Sequence, residues 1–294
     1  MFESVIVKTS VAPLYKQPTF KSEMVTQAII WEELEVLDKQ DNWFKVKQWD
    51  DYVSWIHFSY LISSDKAKEN LDKKELMSWC YMLDFDSNFM YGLGENNRLK
   101  LPYGSLVPIV NLGRRYNFIH LPGDNPYESH MSSSRHLMNY DKLIKKGEED
   151  KLEISKLLIS QLGTQYLWGG KTSFGYDCSG FVQTILKIKG IDFPRDCSQQ
   201  IKSPLLEEID LHDADVGDIV FFKENKNISH VGIFGDLSIL NHLKYESIND
   251  EVISFFHCSG DVKTCSINHK TNSWDDSSLK SKFHSIHRIK NGIK

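Results

Sequence analysis

Short runs of β-branched and aromatic residues, several in strict alternation with polar ones, fill the chain from Val5 to Ile62. Val5-Ile6-Val7, Val25 to Ile30, Leu34 to Leu37, Trp43 to Lys47 and Tyr52 to Ile56 read as strands. Asp41-Asn42 and Asp50-Asp51 supply turns between them. Short strands this closely spaced predict a small all-β barrel over residues 1–64. Asp65 to Lys74 is charged and reads as a linker or a short exposed helix. Leu99 to Leu101, Ser105 to Val110 and Tyr116 to Leu121 look like strands again, and Pro122 to Pro126 is a turn. Tyr116-x-x-Ile119 echoes Trp43-x-x-Val46, which predicts a second, divergent barrel over residues 75–143, with an irregular connecting domain as the alternative.

The period then changes. From Lys145 to Leu162 apolar residues recur at helical spacing: Leu152, Ile154, Leu157, Leu158 and Leu162. Cys178 opens a second helical run through Phe181 to Ile188, ending near Gly190. Ile219 to Phe222, Val231 to Phe234, Val252 to Phe256 and Phe283 to Ile289 are strand-like. Helices followed by consecutive strands predict an α+β domain over residues 145–294.

At 294 residues the chain has room for two or three domains. A net charge of -5 argues against nucleic-acid binding and against adhesion to anionic polymers or membranes. No apolar run is long enough to span a bilayer, and the N-terminus lacks the features of a secretory signal. Five scattered cysteines without a C-x-x-C pair suit a reducing compartment. The expectation is a cytoplasmic monomer if Met1 is the native start, and a periplasmic or secreted one if a signal has been removed.

The chemistry concentrates around Cys178. A cysteine at the first turn of a helix meets unpaired N–H groups and the positive dipole end, which favour a thiolate. His230 and His257 follow on strand-like segments, giving a nucleophile, a base and an orienter in chain order. The backbone N–H of Cys178 can face a developing oxyanion. Asp177 and Ser179 flank the nucleophile; a carboxylate there suits a substrate ammonium and a hydroxyl a substrate carboxylate, while helix capping is the alternative for Asp177. His257, Cys258, Cys265 and His269 lack zinc spacing, so no metal is expected.

These residues carry a resemblance. Tyr166-Leu167-Trp168-Gly169-Gly170, then Asp177-Cys178-Ser179-Gly180-Phe181-Val182, Gly217-Asp218, Ser229-His230-Val231-Gly232-Ile233 and Phe255-x-His257 look like the NlpC-type cell-wall cysteine peptidases. Asp41-x-Trp43-x-x-Val46 and Asp50-x-Tyr52-x-x-Trp55-Ile56 resemble bacterial SH3-like barrels. The resemblance implies a multidomain chain: two small all-β SH3-like barrels followed by a papain-like α+β catalytic domain. It implies Cys178 as nucleophile, His230 as base, His257 as third member and Tyr166 as a second oxyanion donor, with no cofactor. Trp168 would shape the pocket wall. Pro194-Arg195-Asp196-Cys197 resembles a substrate loop in which Cys197 stands where serine is frequent, so Arg195 and Asp196 are expected near substrate. Asp218 reads as structural. Within the family the chain looks most like γ-D-glutamyl-L-diamino acid endopeptidases, which cut peptidoglycan stem peptides of the form L-Ala-γ-D-Glu-diamino acid. In related enzymes the first barrel helps select a free N-terminal L-Ala; Tyr52 and Glu23 are the best matches for that role, with Glu32 and Glu33 competing with Glu23. The rivals are a wall hydrolase or amidase acting on intact peptidoglycan, and a non-catalytic wall-binding protein.

Overall fold

A computed structural model describes residues 4–69, 71, 76–83, 88–90, 98–111, 117–119, 121–123, 143–149, 152–239, 251–268, 270–290 and 292. The chain divides into two compact units, Met1–Glu149 and Asp150–Lys294.

The first unit begins with seven strands: β1 (Ser4–Val7), β2 (Val11–Tyr15), β3 (Met24–Ile29), β4 (Glu33–Gln40), β5 (Trp43–Lys47), β6 (Val53–His57) and β7 (Leu61–Ser63). They form one antiparallel sheet in the order β3-β2-β6-β5-β4-β1-β7. Alternate side chains, among them Val5, Val7, Leu14, Leu34, Val46 and Ile56, point into a common core. The turn residues Asp41 and Asp51 both take positive φ, 51° and 61°, a conformation Asp tolerates better than most residues. β2 escapes the strand pattern because Pro13 sits in its middle; the strand pairs with β6 only at Tyr15↔Trp55.

Of the two readings of the charged stretch, linker or short exposed helix, the structure has the short helix, α1 (Ser64–Lys68). It is not a solvated spacer, because Ala67 is fully buried and Leu71 nearly so. Both join Ile6, Ile30 and Trp31 in a core with Cys80, Met82, Val107 and Ile109 of the next sheet. That sheet holds β8 (Leu76–Met82), β11 (Leu106–Asn111), β12 (Asn117–Ile119) and β13 (Leu143–Lys145) in the antiparallel order β12-β11-β8-β13. β9 (Asn88–Met90) and β10 (Arg98–Lys100) pair separately. Tyr116 of the repeat echo and Asp124 to Pro126 of the turn lie outside the described residues.

The second unit opens with α2 (Ile154–Ser160), shorter than the helix expected from Lys145. Lys145 instead ends β13, and Gly147 takes φ 95°, which a continuing right-handed helix cannot use. Next come β14 (Lys171–Thr172), β15 (Gly175–Tyr176), α3 (Cys178–Ile188), α4 (Cys197–Gln200), β16 (Leu206–Ile209), β17 (Ile219–Glu224), β18 (Asn227–Gly235), β19 (Val252–Ser259), β20 (Asp261–Asn268), β21 (Ser273–Trp274), α5 (Ser277–Lys282) and β22 (Phe283–Ile289). The main sheet is antiparallel in the order β16-β22-β17-β18-β19-β20-β21. Ile219 to Phe222 of β17 are all fully buried, as a strand covered on both faces requires. Val220, Phe222, Phe255, Trp274 and Leu279 of α5 form the core on one face. Among the described residues, no helix is long and apolar enough to cross a membrane.

Candidate active site

The start of α3 is fixed by Asp177. Its Oδ1 accepts the Gly180 N–H at 2.7 Å, the N-cap bond, and its Oδ2 accepts the Gly169 N–H at 3.0 Å. One carboxylate therefore holds the Gly169-Gly170 loop against the helix start. The approach is close: a Cβ on Gly180 would lie 2.1 Å from the Gly170 carbonyl oxygen, so only glycine fits there.

Arg195 completes this anchor. Its guanidinium donates to Asp177 Oδ1 at 3.0 Å and Oδ2 at 2.6 Å, to Ser179 Oγ at 3.1 Å and to the Gly170 carbonyl at 3.5 Å. Ser179 Oγ in turn donates to Asp177 Oδ1 at 3.3 Å. Arg195 is 1% exposed. A charge so buried needs the forked pairing that Asp177 supplies. The structure thus gives Arg195, expected near substrate, an inward-facing role, and Asp177 carries the cap that was its alternative reading. Asp196 heads α4 in a capping box, its N–H donating to Gln199 Oε1 at 3.3 Å. Gln200 ties α4 to α3 by donating to the carbonyls of Ser179 at 3.0 Å and Pro194 at 2.8 Å.

Cys178 is the first residue of α3, as the sequence pattern requires, but its thiol is not pulled towards thiolate. The neighbouring Cys197 thiol, then burial, then the Asp177 carboxylate hold it well above the ordinary cysteine value. Cys178 in turn lowers Cys197, whose sulfur donates to the Ile228 carbonyl at 3.5 Å. Cys197, burial and Asp177 together outweigh the pull of the helix terminus. In this arrangement Cys178 is a thiol in need of a base.

His230 sits inside β18 rather than at its start, and His257 lies on β19. The antiparallel register sets His257 opposite Gly232, two residues along from His230. The strands can approach there because Gly232 has no side chain: a Cβ would stand 2.9 Å from the Phe256 carbonyl oxygen. His230 Nε2 lies 2.8 Å from His257 Nδ1. Burial first, then the neighbouring His257, depress His230 to about 3. Burial and Lys263 depress His257 to about 4. Both rings are neutral at neutral pH, so one N–H joins them. Nε2 of His230 is committed to His257, which leaves Nδ1 as the nitrogen for a thiol proton.

Tyr166 is half-buried, with its phenol pushed up to about 12 by burial and by the adjacent Cys178 and Asp177. A phenol so held stays protonated and can donate. Trp168 is 62% exposed. Cys258 is inert by contrast: its thiol donates to the Tyr176 carbonyl at 3.2 Å and is pushed to about 12, chiefly by burial. His269 of the cysteine–histidine group lies outside the described residues. In the first unit, Glu23 faces Lys16 at 3.5 Å. Glu32 accepts from Gln48 Nε2 at 2.6 Å and the Ile29 N–H at 3.1 Å, and Glu33 from Lys68, Ser4 and Ser64 at 2.7 Å each. Glu32 and Glu33 therefore serve the first unit's own framework. Tyr52 is half-buried next to β6. Cys197, a cysteine standing where serine is frequent, is the neighbour whose effect on the Cys178 thiol the sequence did not convey.

A helix-borne cysteine and two hydrogen-bonded histidines on adjacent strands match the order of chemistry read from the sequence. Residues 163–280 match the model of the NlpC/P60 family. The second unit carries an NlpC/P60 domain. Members of the NlpC/P60 family are cysteine peptidases, and the family is one of peptidoglycan hydrolases. Ahead of the NlpC/P60 domain, residues 14–61 match the bacterial dipeptidyl-peptidase SH3 domain, so an SH3-like all-β region precedes the catalytic one. A γ-D-glutamyl-L-lysine dipeptidyl-peptidase of Bacillus cereus is 22% identical over 242 residues, covering 78% of this chain and 70% of that one. The enzyme of the same name from Bacillus subtilis is 45% identical over 76 residues, 25% of either chain. The crystal structure of an NlpC/P60 family protein from Bacillus cereus shares the fold, with a TM-score of 0.70 at 18% identity over 97% of this chain and 99% of that one.

Proposed function

We propose that the chain is a γ-D-glutamyl-L-diamino acid endopeptidase, cleaving the bond between D-Glu and the diamino acid in peptidoglycan stem peptides that begin with a free L-Ala. The 2.8 Å contact between His230 and His257, on strands that pack beside the Cys178 helix, is the observation that carries the catalytic part of this reading. The pairing of an NlpC/P60 domain with a dipeptidyl-peptidase type of SH3 domain, and the names of both relatives, support the substrate part.

The reaction runs as follows. The Cys178 thiol turns to Nδ1 of His230, which takes its proton as the sulfur attacks the γ-linked carbonyl. For Nδ1 to be basic, His230 must carry its proton on Nε2, donating to His257 Nδ1. His257 thus fixes the tautomer and holds the His230 ring in orientation as Nδ1 takes the proton. The oxyanion faces the Cys178 backbone N–H and the Tyr166 hydroxyl. His230 gives its proton to the leaving amine, and water then releases the acyl group from sulfur. No step calls for a cofactor.

Incubation with L-Ala-γ-D-Glu-L-Lys and its diaminopimelate analogue tests the proposal, with N-acetylated tripeptide and intact sacculi in parallel. Release of L-Ala-D-Glu from the free tripeptides is expected, with at least about a hundredfold lower kcat/KM for the blocked one. Equal turnover of both, or efficient digestion of sacculi, favours a wall hydrolase instead.

A further inference from the structure

Helix α4 (Cys197–Gln200) has four residues, far below the roughly 12 that an isolated helix needs to hold itself in water. Its place depends on side-chain bonds to its neighbours, and those bonds lead to the elements that carry Cys178 and His230. Gln200, at its last position, is fully buried. Its Nε2 donates to the Ser179 carbonyl at 3.0 Å and to the Pro194 carbonyl at 2.8 Å. Two carbonyls facing one amide admit only its nitrogen, so both N–H protons are spent. Ser179 follows Cys178 in the first turn of α3. Cys197, at the first position of α4, donates to the Ile228 carbonyl at 3.5 Å. Ile228 lies at a bulge in β18: Phe222 pairs with His230 and Lys223 with Ile228, which leaves Ser229 as the extra residue. A bulge beside a site re-aims the side chain next to it, here that of His230.

We propose that α4 is a spacer between nucleophile and base, and that Gln200 is the positioning residue that sets their separation. The short helix packs on both α3 and β18. Gln200 ties the start of α3 to it, and Cys197 ties the His230 bulge to it. Without the amide, helix start and bulge are free to drift apart. A thiol and a ring nitrogen that must meet at hydrogen-bond distance are sensitive to such drift, since about 1 Å of misplacement can cost about a hundredfold in rate. Gln183 supplies the comparison. It is also buried, and its Nε2 donates to the Phe193 carbonyl at 2.9 Å. That bond fastens the same loop to the second turn of α3 rather than the first. The proposal rests on Cys178 as nucleophile and His230 as its base.

Alkylation of Cys178 by iodoacetamide tests this without a peptide substrate. The full chain is treated, quenched and cut with trypsin, and mass spectrometry follows the peptide 172–187, in which Cys178 is the one cysteine. His230→Ala should slow alkylation by at least about a hundredfold, since the thiol loses its base. Gln200→Met should slow it at least about tenfold when His230 is present, yet by less than about twofold in the His230→Ala background, where nothing is left to position. Gln183→Met should lower Tm as Gln200→Met does but leave the alkylation rate within about twofold. For a peptide that the wild type cleaves, Gln200→Met should lower kcat by at least about tenfold with KM within about threefold. Gln200→Asn, an amide one methylene short, carries the comparison if the methionine variant does not fold. A folded Gln200 variant that alkylates like the wild type overturns the proposal. So does one that is slowed equally with and without His230, or a Gln183→Met protein slowed as much as Gln200→Met; either makes Gln200 a packing residue. His230→Ala protein that alkylates as fast as the wild type would sink the base assignment and this proposal with it, whereas loss of the Gln200 effect alone leaves the peptidase reading standing.

Discussion

His230 Nε2 and His257 Nδ1 stand 2.8 Å apart on neighbouring strands, both rings depressed, to about 3 and about 4. An unfolded histidine titrates near 6.5. Between about pH 6.5 and about pH 4 the unfolded chain therefore binds more protons at these two sites than the folded one, and stability falls as pH drops through that window. We expect Tm to decline over this range and the decline to be shallower in His257→Gln, which removes one titrating partner. An equal slope in both proteins would mean that the pair does not drive acid sensitivity.

On the proposed mechanism the same contact makes His257 a positioning residue. His257→Ala should lower kcat/KM by about tenfold to a hundredfold, because His230 loses its tautomer lock. His257→Asn keeps an acceptor for the His230 N–H and should retain more activity than the alanine variant. The acid limb of kcat/KM should also move in His257→Ala. Equal activities in the alanine and asparagine variants, with an unchanged pH profile, would assign His257 a packing role only.

Arg195 and Asp177 form a forked ion pair with the guanidinium 1% exposed. Removing one partner of such a pair leaves an uncompensated buried charge, at a cost of about 3–5 kcal/mol. Arg195→Ala should lower stability by about that amount in urea titration. Arg195→Lys should recover little, since an ammonium cannot supply the fork. A lysine variant as stable as the wild type would contradict the geometry.

Much of this was legible in the sequence, for identifiable reasons. The buried run at Ile219 to Phe222 marks a strand because both of its faces are covered. Cys178, His230 and His257 stood out because nucleophile and base need particular residue types, and the structure sets Cys178 on a helix and the two histidines on adjacent strands. What stayed hidden depends on neighbours distant in sequence. The state of the Cys178 thiol is set by Cys197 and Asp177 as well as by its helix. The inward turn of Arg195 follows from Asp177, 18 positions away in sequence. The burial of Ala67 in a charged stretch depends on Ile6, Ile30 and Cys80. No periodicity encodes such meetings.

Gly180 tests how tightly the catalytic helix is seated. Replacing glycine by alanine within a helix ordinarily gains about 1 kcal/mol. Here the new Cβ would meet the Gly170 carbonyl at 2.1 Å and Asp177 Oδ1 at 3.0 Å, so the steric cost should win. Gly180→Ala should be destabilised by about 1–3 kcal/mol net. A stabilised variant would show that the Gly169-Gly170 loop is free to move away.

The proposed reaction depends most directly on the sulfur of Cys178. The decisive measurement is hydrolysis of L-Ala-γ-D-Glu-diamino acid tripeptide by the wild type and by Cys178→Ala, with Tm recorded for each. The prediction is release of L-Ala-D-Glu by the wild type and loss of turnover by at least about a thousandfold in Cys178→Ala, with folding retained. A folded Cys178→Ala protein that cleaves the peptide at near wild-type rate would contradict the central claim.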